Sequence, residues 1–429
     1  MEQKIKERLD LVKQGKVPPG YKKTELGIVP EEWEQEKFCK LFSRIIERNN
    51  SGNTNILTIS AQYGLISQGD FFNRNIASED TSNYFLLRKG EFAYNKSYSA
   101  NYPYGAIKPL IRYENGIVSP LYICFKSTTV NKCPSYYKHY FELGLMNHEI
   151  KSFAQEGARN HGLLNLSIDD FFNSILVYPP LDEQIKIAKI LDTYEKMISK
   201  KIMLLKLKQQ QKKWLMQVLL TGKKRLEGFN KKWGKSILKD IAIKCREKNT
   251  DLKYTTVFSN SAQHGVIAQE EQFDKDIANV DSIDKYFVIH ENEFVYNPRI
   301  SVTAPCGPIN MNKTDIIGIL SPLYLIFKII STGINREYLR QYFKSTTWFK
   351  YMKSVANYGA RHDRMSITDE DFFNMPINIP NLDEQTAIAN VLTTADQEIE
   401  LLEQDLQQWQ LKKKALMQLL LTGIIRVRA

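Results

Sequence analysis

The amino-acid sequence contains one unit that occurs twice. The tetrapeptide LDEQ stands at residues 181–184 and again at 382–385, and LLTG stands at 219–222 and again at 420–423. In both cases the second copy follows the first at an offset of 201 residues. Since self-similarity at a constant offset marks a repeated structural unit, the 429-residue chain is predicted to be a tandem duplication of a unit of about 200 residues.

Shorter identities between the two copies support the duplication. DFFN at 170–173 returns at 371–374, and SPLY at 119–122 returns at 321–324. The offset changes from 201 to 202 and back between such identities, as expected for single-residue insertions in surface loops. Each copy is therefore expected to fold as one globular part followed by one long helix.

The long helices are indicated by apolar residues at steps of three and four, the heptad pattern of a coiled coil. The packing positions taken from this pattern are Ile187, Leu191, Ile198, Ile202 and Leu205 in the first copy and Ile388, Leu392, Ile399 and Leu406 in the second. Each stretch begins at LDEQ and ends at Gly222 or Gly423, which can take the left-handed conformation that closes a helix. A helix of about 40 residues, roughly 60 Å long, must bury such a stripe.

Two arrangements would bury the stripes. Each helix could pack on its own globular part, or the two helices could pair in one antiparallel coiled coil. The duplication favours pairing, because two copies of one unit generate a pseudo-twofold axis. The segment ERLDLVKQGK near the N-terminus resembles the end of such a helix and is expected to lie near the pair.

Between the helices the sequence has short stretches rich in Tyr, Phe and Ile, punctuated by Gly, Asn and Pro, with helical stretches near 135–155 and 335–355. The predicted fold class is α+β, with two tandem α+β domains separated by two long antiparallel coiled-coil helices in a pseudo-twofold arrangement. The predicted boundaries are 1–21 for the N-terminal helical segment, 22–180 for the first domain, 181–222 for the first helix, 223–381 for the second domain, and 382–429 for the second helix and tail.

Charge and motifs favour binding over catalysis. The chain has 59 Lys and Arg against 48 Asp and Glu, a formal charge of +11, which favours a polyanionic partner. It contains no phosphate-binding glycine loop, no nucleophile elbow and no HExxH zinc motif, and its five cysteines form no CxxC pair. Without a secretory signal or a membrane-spanning stretch, a cytoplasmic protein with no bound metal and no catalytic residue is expected.

Amide, basic and aromatic side chains interleave on predicted loops at matching places in the two copies. Arg and Lys suit guanine edges, and Asn and Gln suit adenine edges, while all of them can hold phosphates. The candidate DNA-binding residues are Gln62, Tyr63, Asn95, Lys96, Tyr98, Arg159, Asn160 and His161 in the first domain, and Gln263, His264, Asn297, Arg299, Arg361, His362 and Arg364 in the second.

With its LDEQ-to-LLTG helix occurring twice, and Gly-Ala-Arg preceding DFF in each copy, nearly the whole chain resembles the specificity subunit of a type I restriction-modification system. The resemblance implies two target recognition domains that each read one half of an asymmetric bipartite site in double-stranded DNA. It implies helices that set the spacing of the half-sites and dock two methyltransferase subunits, and a restriction/translocase subunit that joins them in phage defence. S-adenosylmethionine, ATP and Mg²⁺ are then expected on those partners, with no cofactor on this chain.

Two alternatives stay open from the sequence. The specificity chain of a type II system that cuts beside a bipartite site would share this architecture and differ only in its partner. A coiled-coil scaffold whose globular ends bind proteins would share the helices, but it would spread the +11 charge evenly over its surface.

Overall fold

The structure is a computed structural model that describes residues 2–60, 64–69, 80–99, 101–128, 133–156, 162–269, 280–358 and 363–427. The chain forms two compact units. The first comprises Met1–Lys201 together with Asp405–Ala429, and the second comprises Ile202–Gln404. Each unit therefore takes one part of each long helix. The boundaries given above, which separate globular parts from helices along the chain, stay a prediction.

Short elements make up the globular part of the first unit. Its helices are α1 (Glu2–Lys13), α2 (Phe38–Leu41), α3 (Pro134–Glu142), α4 (Asn147–Phe153) and α5 (Ile168–Asn173). Its strands are β1 (Tyr21–Thr24), β2 (Gly27–Pro30), β3 (Glu34–Lys37), β4 (Phe42–Arg44), β5 (Leu57–Ser60), β6 (Gly64–Ser67), β7 (Phe85–Arg88), β8 (Phe92–Asn95), β9 (Ala106–Pro109), β10 (Asn115–Val118), β11 (Ile123–Ser127), β12 (Gln155–Glu156), β13 (Leu164–Asn165) and β14 (Ile175–Tyr178).

The long helix α6 (Leu181–Leu219) leads into the globular part of the second unit, and α11 (Leu382–Leu421) follows it. The helices between them are α7 (Leu238–Ile241), α8 (Arg336–Lys344), α9 (Phe349–Val355) and α10 (Asp369–Phe373), with a 3₁₀ helix at Val280–Lys285. The strands are β15 (Gly234–Ile237), β16 (Ala242–Lys244), β17 (Phe258–Ser261), β18 (Gly265–Ala268), β19 (Phe287–Ile289), β20 (Phe294–Tyr296), β21 (Ile309–Met311), β22 (Gly318–Leu320), β23 (Leu325–Ile329), β24 (Asn357–Tyr358), β25 (Met365–Ser366) and β26 (Pro376–Ile379). No helix in the described ranges has both the length and the apolar composition needed to cross a bilayer.

Both units are built on the same four-stranded antiparallel sheet, with strand order β4-β11-β8-β9 in the first and β16-β23-β20-β21 in the second. Tyr94 pairs with Ile107 in the first sheet, and Tyr296 pairs with Ile309 in the second, so the register itself repeats at an offset of 202. The α+β prediction is confirmed, and the duplication is seen in strand pairing as well as in sequence.

Aromatic side chains fill the larger core of each unit at equivalent places. Phe92 stacks on Phe125 with ring centroids 5.3 Å apart, and Phe294 stacks on Phe327 at the same distance. All four rings are buried. Large rings of this kind contribute most of the apolar area that a core removes from water, which explains the Phe and Tyr of the short strands.

The long helices pair antiparallel within each unit. In the first unit Ile187 of α6 shares a core with Leu420 of α11, and further along Tyr194 contacts Trp409 with ring centroids 5.3 Å apart. In the second unit Leu219 shares a core with Ile388 and its neighbours. Since residue numbers rise along one helix as they fall along the other, the prediction of antiparallel pairing is confirmed.

The middle of the helix pair differs from the predicted seam. Ile202 is 45% exposed and lies off the contact surface. Next to it the ammonium of Lys201 binds Asp405, and in the second unit Lys208 Nζ lies 2.6 Å from Glu398 Oε1. Lysine can lie along an apolar surface and still reach a carboxylate, so it takes seam positions that an apolar pattern misses. The other predicted seam positions of this stretch are half-buried, namely Ile198, Leu205, Ile399 and Leu406.

Candidate nucleic-acid interface

In the first unit, the last residue of β8 and the segment that follows it carry three of the candidate residues, Asn95, Lys96 and Tyr98. Tyr98 N donates to the carbonyl oxygen of Gly162 at 2.9 Å, and the carbonyl of Lys96 accepts from Leu164 N at 3.0 Å. Asn95 Oδ1 accepts from the backbone of the same segment at 3.0 Å, which fixes its start. Lys96 and Tyr98 therefore lie on a strand-like segment beside the chain that follows Gly-Ala-Arg, and Tyr98 is 40% exposed.

The second unit repeats this arrangement with different side chains. Asn297 Oδ1 accepts from Arg299 N at 3.0 Å, and Ile300 N donates to the carbonyl of Asp363 at 2.9 Å. Arg299 and Arg364 stand opposite each other in an antiparallel bridge, and both side chains are exposed. Like charges directly opposite on neighbouring strands are destabilising. A bound anion between the two arginines would relieve this repulsion, so the pair favours binding of an anion.

Two equivalent glycines allow the backbone to pass close to the start of these segments in both units. Gly105 and Gly307 have φ of +78° and +74°, the left-handed region that favours glycine. A Cβ added there would lie 2.3 Å from the carbonyl oxygen of Asn95 and 2.0 Å from that of Asn297. The backbone can thus pass closely beside the end of β8 or β20 only because both positions are glycine.

The β17–β18 turn presents Gln263 and His264. Both backbone amides donate to Ser261 Oγ at 3.3 Å, and both side chains are exposed. The base of the turn is held by Asn310, whose Nδ2 donates to Asn260 Oδ1 at 2.7 Å and to the carbonyl of Ser261 at 3.0 Å. Gln263 and His264 line a cleft of about 470 Å³, which is also lined by four basic residues: Lys212, Lys313, Arg340 and Lys344.

Several candidates lie outside the described residues: Gln62, Tyr63, Arg159, Asn160, His161, Arg361 and His362. Their roles stay predictions. In the second unit the structure brings the candidates Arg299 and Arg364 together in one bridge. In the first unit Tyr98 is joined by a backbone hydrogen bond to Gly162, the residue after His161.

The glutamate of the first LDEQ motif, Glu183, was not predicted as a functional residue. It joins the start of α6 to Trp33 and to Arg426 near the C-terminus. Glu183 is 5% exposed, and Arg426 donates to both of its carboxylate oxygens at 2.8 Å. Trp33 Nε1 donates to Glu183 Oε2 at 3.2 Å. Burial is the largest single influence and raises the pKa of Glu183. The hydrogen bonds and charge of Arg426, together with the hydrogen bonds from Val427 N and Trp33, outweigh it, so the pKa is lowered from its ordinary value.

The second LDEQ motif forms the same joint in the second unit. Arg225 donates to both oxygens of Glu384, at 2.5 and 2.6 Å, and Trp233 Nε1 donates to Glu384 Oε2 at 3.2 Å. Arg225 and Arg426 each stand three residues after the glycine of LLTG, and Trp33 and Trp233 stand at the two domain entries. That recurrence was the sequence signal for this joint. It shows that LDEQ and LLTG serve assembly of the unit.

An ion-pair network ties α3 to the long helices of the first unit. The ammonium of Lys138 lies 2.6 Å from both Asp192 Oδ1 and Glu195 Oε2, and Lys413 Nζ lies 2.7 Å from Glu195 Oε1. His139, which is buried, has Nε2 2.9 Å from Asp192 Oδ1. One atom each of His139, Asp192 and Glu195 could reach a common metal ion, since these atoms lie within 4.8 Å of one another. Both carboxylates, however, already bind protein cations.

Two relatives of known sequence are described as specificity subunits of type I restriction enzymes. A family model described as the type I restriction modification DNA specificity domain matches residues 230–410. A putative type I restriction enzyme MjaX specificity subunit of Methanocaldococcus jannaschii is 25% identical over 435 residues, covering 95% of this chain and 97% of that protein. The type I restriction enzyme MjaVIII specificity subunit of the same organism is 28% identical over 302 residues, covering 65% of this chain and 68% of that protein.

Solved structures agree with the fold. A chain from a study of complex assembly and conformational transition of the type I R-M system has a TM-score of 0.52 and 13% identity, and covers 92% of this chain and 99% of its own length. The type I restriction-modification system S subunit from M. genitalium has a TM-score of 0.51 and 10% identity, with coverage of 92% and 97%. Along nearly its whole length this chain is therefore similar to specificity subunits of type I restriction-modification systems.

Proposed function

We propose that each globular part reads one half of an asymmetric bipartite site in double-stranded DNA. The observation that supports this most directly is that both units have the same backbone pairing, called the frame below, but carry different side chains on it. The frame joins the segment after β8 or β20 to the chain after Gly-Ala-Arg in each unit. In the bridge of that frame Ser97 faces Leu163 in the first unit, and Arg299 faces Arg364 in the second.

The two frames suit different bases. Arginine can make two hydrogen bonds to a guanine edge, while the first unit offers a lysine, a tyrosine and a serine on the equivalent segment. Because the copies differ, the two half-sites are expected to differ as well. A homodimer would instead read a palindrome.

The long helices have a separate role in this proposal, which is to set the distance between half-sites and to dock the methyltransferase subunits. Large apolar side chains remain exposed along α6, including Met203 at 66% and Leu207 at 59%, with Trp214 at 48% on the same helix. Exposed apolar side chains that line one element are typical of a protein interface. The assembly would hold two methyltransferase subunits and a restriction/translocase subunit.

The chemistry is assigned to those partners. The chain itself is proposed to be non-catalytic and to work in the cytoplasm, where S-adenosylmethionine, ATP and Mg²⁺ would be held by the other subunits. The supporting observation is that its sequence has none of the phosphate, nucleophile or zinc motifs that such chemistry would need.

A binding selection with the specificity–methyltransferase complex tests the proposal. From a pool of randomised duplexes we expect enrichment of two short unequal motifs separated by a fixed unread gap, and binding that weakens as salt rises. Mapping methylated adenines in the host genome should return the same motifs. A flat response to salt with no enriched motif would contradict DNA recognition and favour a protein-binding scaffold.

A further inference from the structure

The two units differ in charge at one equivalent pair of positions. In the first unit Lys108 of β9 binds Glu142 at the end of α3 through its ammonium, which also donates to Tyr102 Oη at 3.0 Å. The Lys108 side chain is only 10% exposed. This position of the first unit is therefore filled by a neutralised ion pair.

In the second unit both members of that pair are replaced. Strand register aligns Lys108 with Asn310, since each lies opposite the middle residue of the neighbouring strand, Ala93 or Val295. The helices α3 and α8 align through Tyr-Phe before their last residue, so that Lys344 takes the place of Glu142.

The two replacements leave one cation unmatched. Asn310 turns to the base of the β17–β18 turn, where its Nδ2 donates to Asn260 and Ser261. Lys344 has neither a hydrogen bond nor an ion pair with any residue of the ranges that the structure describes, and its side chain is exposed toward the cleft below that turn.

The other cations of the cleft are only partly neutralised. Lys313 Nζ lies 2.5 Å from Glu337 Oε1, Arg340 Nε lies 2.6 Å from Glu337 Oε2, and Lys212 binds Asp396. Four cations thus face two carboxylates. In the first unit, by contrast, each of the cations Lys108, Lys138 and Lys413 binds at least one carboxylate, of Glu142, Asp192 or Glu195.

Hydrogen-bond donors complete the lining. The exposed side chains of Gln263 and His264 lie on the turn above the same cleft, and the turn is held in place by the Asn310 contacts. An excess of ammonium and guanidinium groups beside neutral donors is the chemistry that binds a phosphate group.

We propose that this cleft binds a phosphodiester of the DNA backbone, with Lys344 as its principal cation, and that the first unit has no such contact at the equivalent place. The inference rests on the proposed DNA recognition and adds to it a specific contact. The second unit then contributes more to salt dependence than the first. A phosphate contact positions the protein and does not select a base, so the cleft affects affinity and leaves both half-site sequences unchanged.

The variant Lys344→Gln in the full specificity–methyltransferase complex tests the contact. We expect the slope of log K against log salt, measured on the selected duplex, to become shallower by about 0.9, the value for one phosphate. The half-sites selected from a random pool should not change. Lys239→Gln, at an exposed lysine on α7 outside the cleft, is the matched control and should leave the slope almost unchanged.

The ligand is identified with duplexes that carry one neutral methylphosphonate each. In the wild-type complex a linkage at one position beside the second half-site should weaken binding, and in Lys344→Gln the same linkage should have no further effect. Saturable binding of inorganic phosphate that is lost in Lys344→Gln, without any methylphosphonate effect, would make the ligand a free anion and overturn the proposal.

The two proposals fail in different ways. An unchanged salt slope in Lys344→Gln, while the wild-type complex binds its duplex normally, overturns the cleft and leaves DNA recognition standing. A wild-type complex that binds no duplex overturns both.

Discussion

At the scale of single residues, the two arginines that face each other in the second unit are the clearest candidates for base reading. Arg299 and Arg364 lie on neighbouring strand-like segments and are both exposed, and Asp363 Oδ2 lies 3.8 Å from Arg364 Nε. That pair is too long for a hydrogen bond. Neither guanidinium group is hydrogen-bonded to a carboxylate of the described residues, so their donors are available for a ligand.

Replacing Arg299 with Ala should weaken binding and relax one half-site. If the guanidinium contacts a base edge, we expect a loss of about 1–3 kcal/mol for that contact. Selection from a randomised pool measures the effect. Ser97→Ala, at the equivalent place of the first unit, is the control and should leave the half-site of the second unit intact. If Arg299→Ala leaves the base preference of that half-site unchanged, the arginine contacts the DNA backbone or has a structural role instead.

Acid should weaken the joint at Glu183. Burial raises the pKa of this carboxyl, but Arg426, Val427 N and Trp33 together outweigh it, so the folded-state pKa lies below its ordinary value of 4.5. The joint therefore stabilises the fold fully above pH 4.5, and the contribution is lost as pH falls through the lowered pKa. The urea midpoint of the wild type should exceed that of Glu183→Gln at neutral pH, and the gap should close in acid. A gap that stays constant would contradict the assignment.

At the scale of elements, sequence periodicity located the long helices but not the chemistry of their middle. The apolar pattern placed Ile202 in the seam, whereas the structure uses Lys201 and Lys208 there, each bound to a carboxylate of α11. A pattern search of one helix cannot identify such pairs because the partner lies about 190 to 204 residues away in the chain. The joint at Glu183 was missed for the same reason.

A charge-swap cycle tests the central pairing. Lys208→Glu alone places two carboxylates together across the helices and should lower the melting temperature, while Lys208→Glu with Glu398→Lys should restore it. The side chains are 29% and 47% exposed, so a coupling of only about 0.2–1 kcal/mol is expected. The difference between the double variant and the two single variants gives that coupling. A coupling of zero would mean that the ion pair contributes nothing to the contact.

At the scale of the whole molecule, the sequence was enough to identify the duplication. It was not enough to tell which residues hold each unit together and which could contact DNA. Repeated motifs such as LDEQ turned out to hold each unit together, through Glu183 and Glu384. The residues that differ, such as Ser97 and Arg299 at the bridge, are the ones on which the copies can read different bases. Identity between the copies therefore indicates structure, and divergence on a shared frame indicates recognition.

The proposal that the helices set the distance between the half-sites can be tested by lengthening both helices at once. One heptad inserted after Lys201 and one after Gln404 would leave the pairing within each unit intact, because the units divide at those residues. Seven helical residues add about 10 Å, or roughly three base pairs at 3.4 Å each. The preferred gap between half-sites should lengthen by that amount while the bases read stay the same. A heptad in α6 alone would shift one helix against the other and should destabilise the fold. If the double insertion changed the half-sites themselves, base recognition and half-site spacing would not belong to separate parts of the molecule.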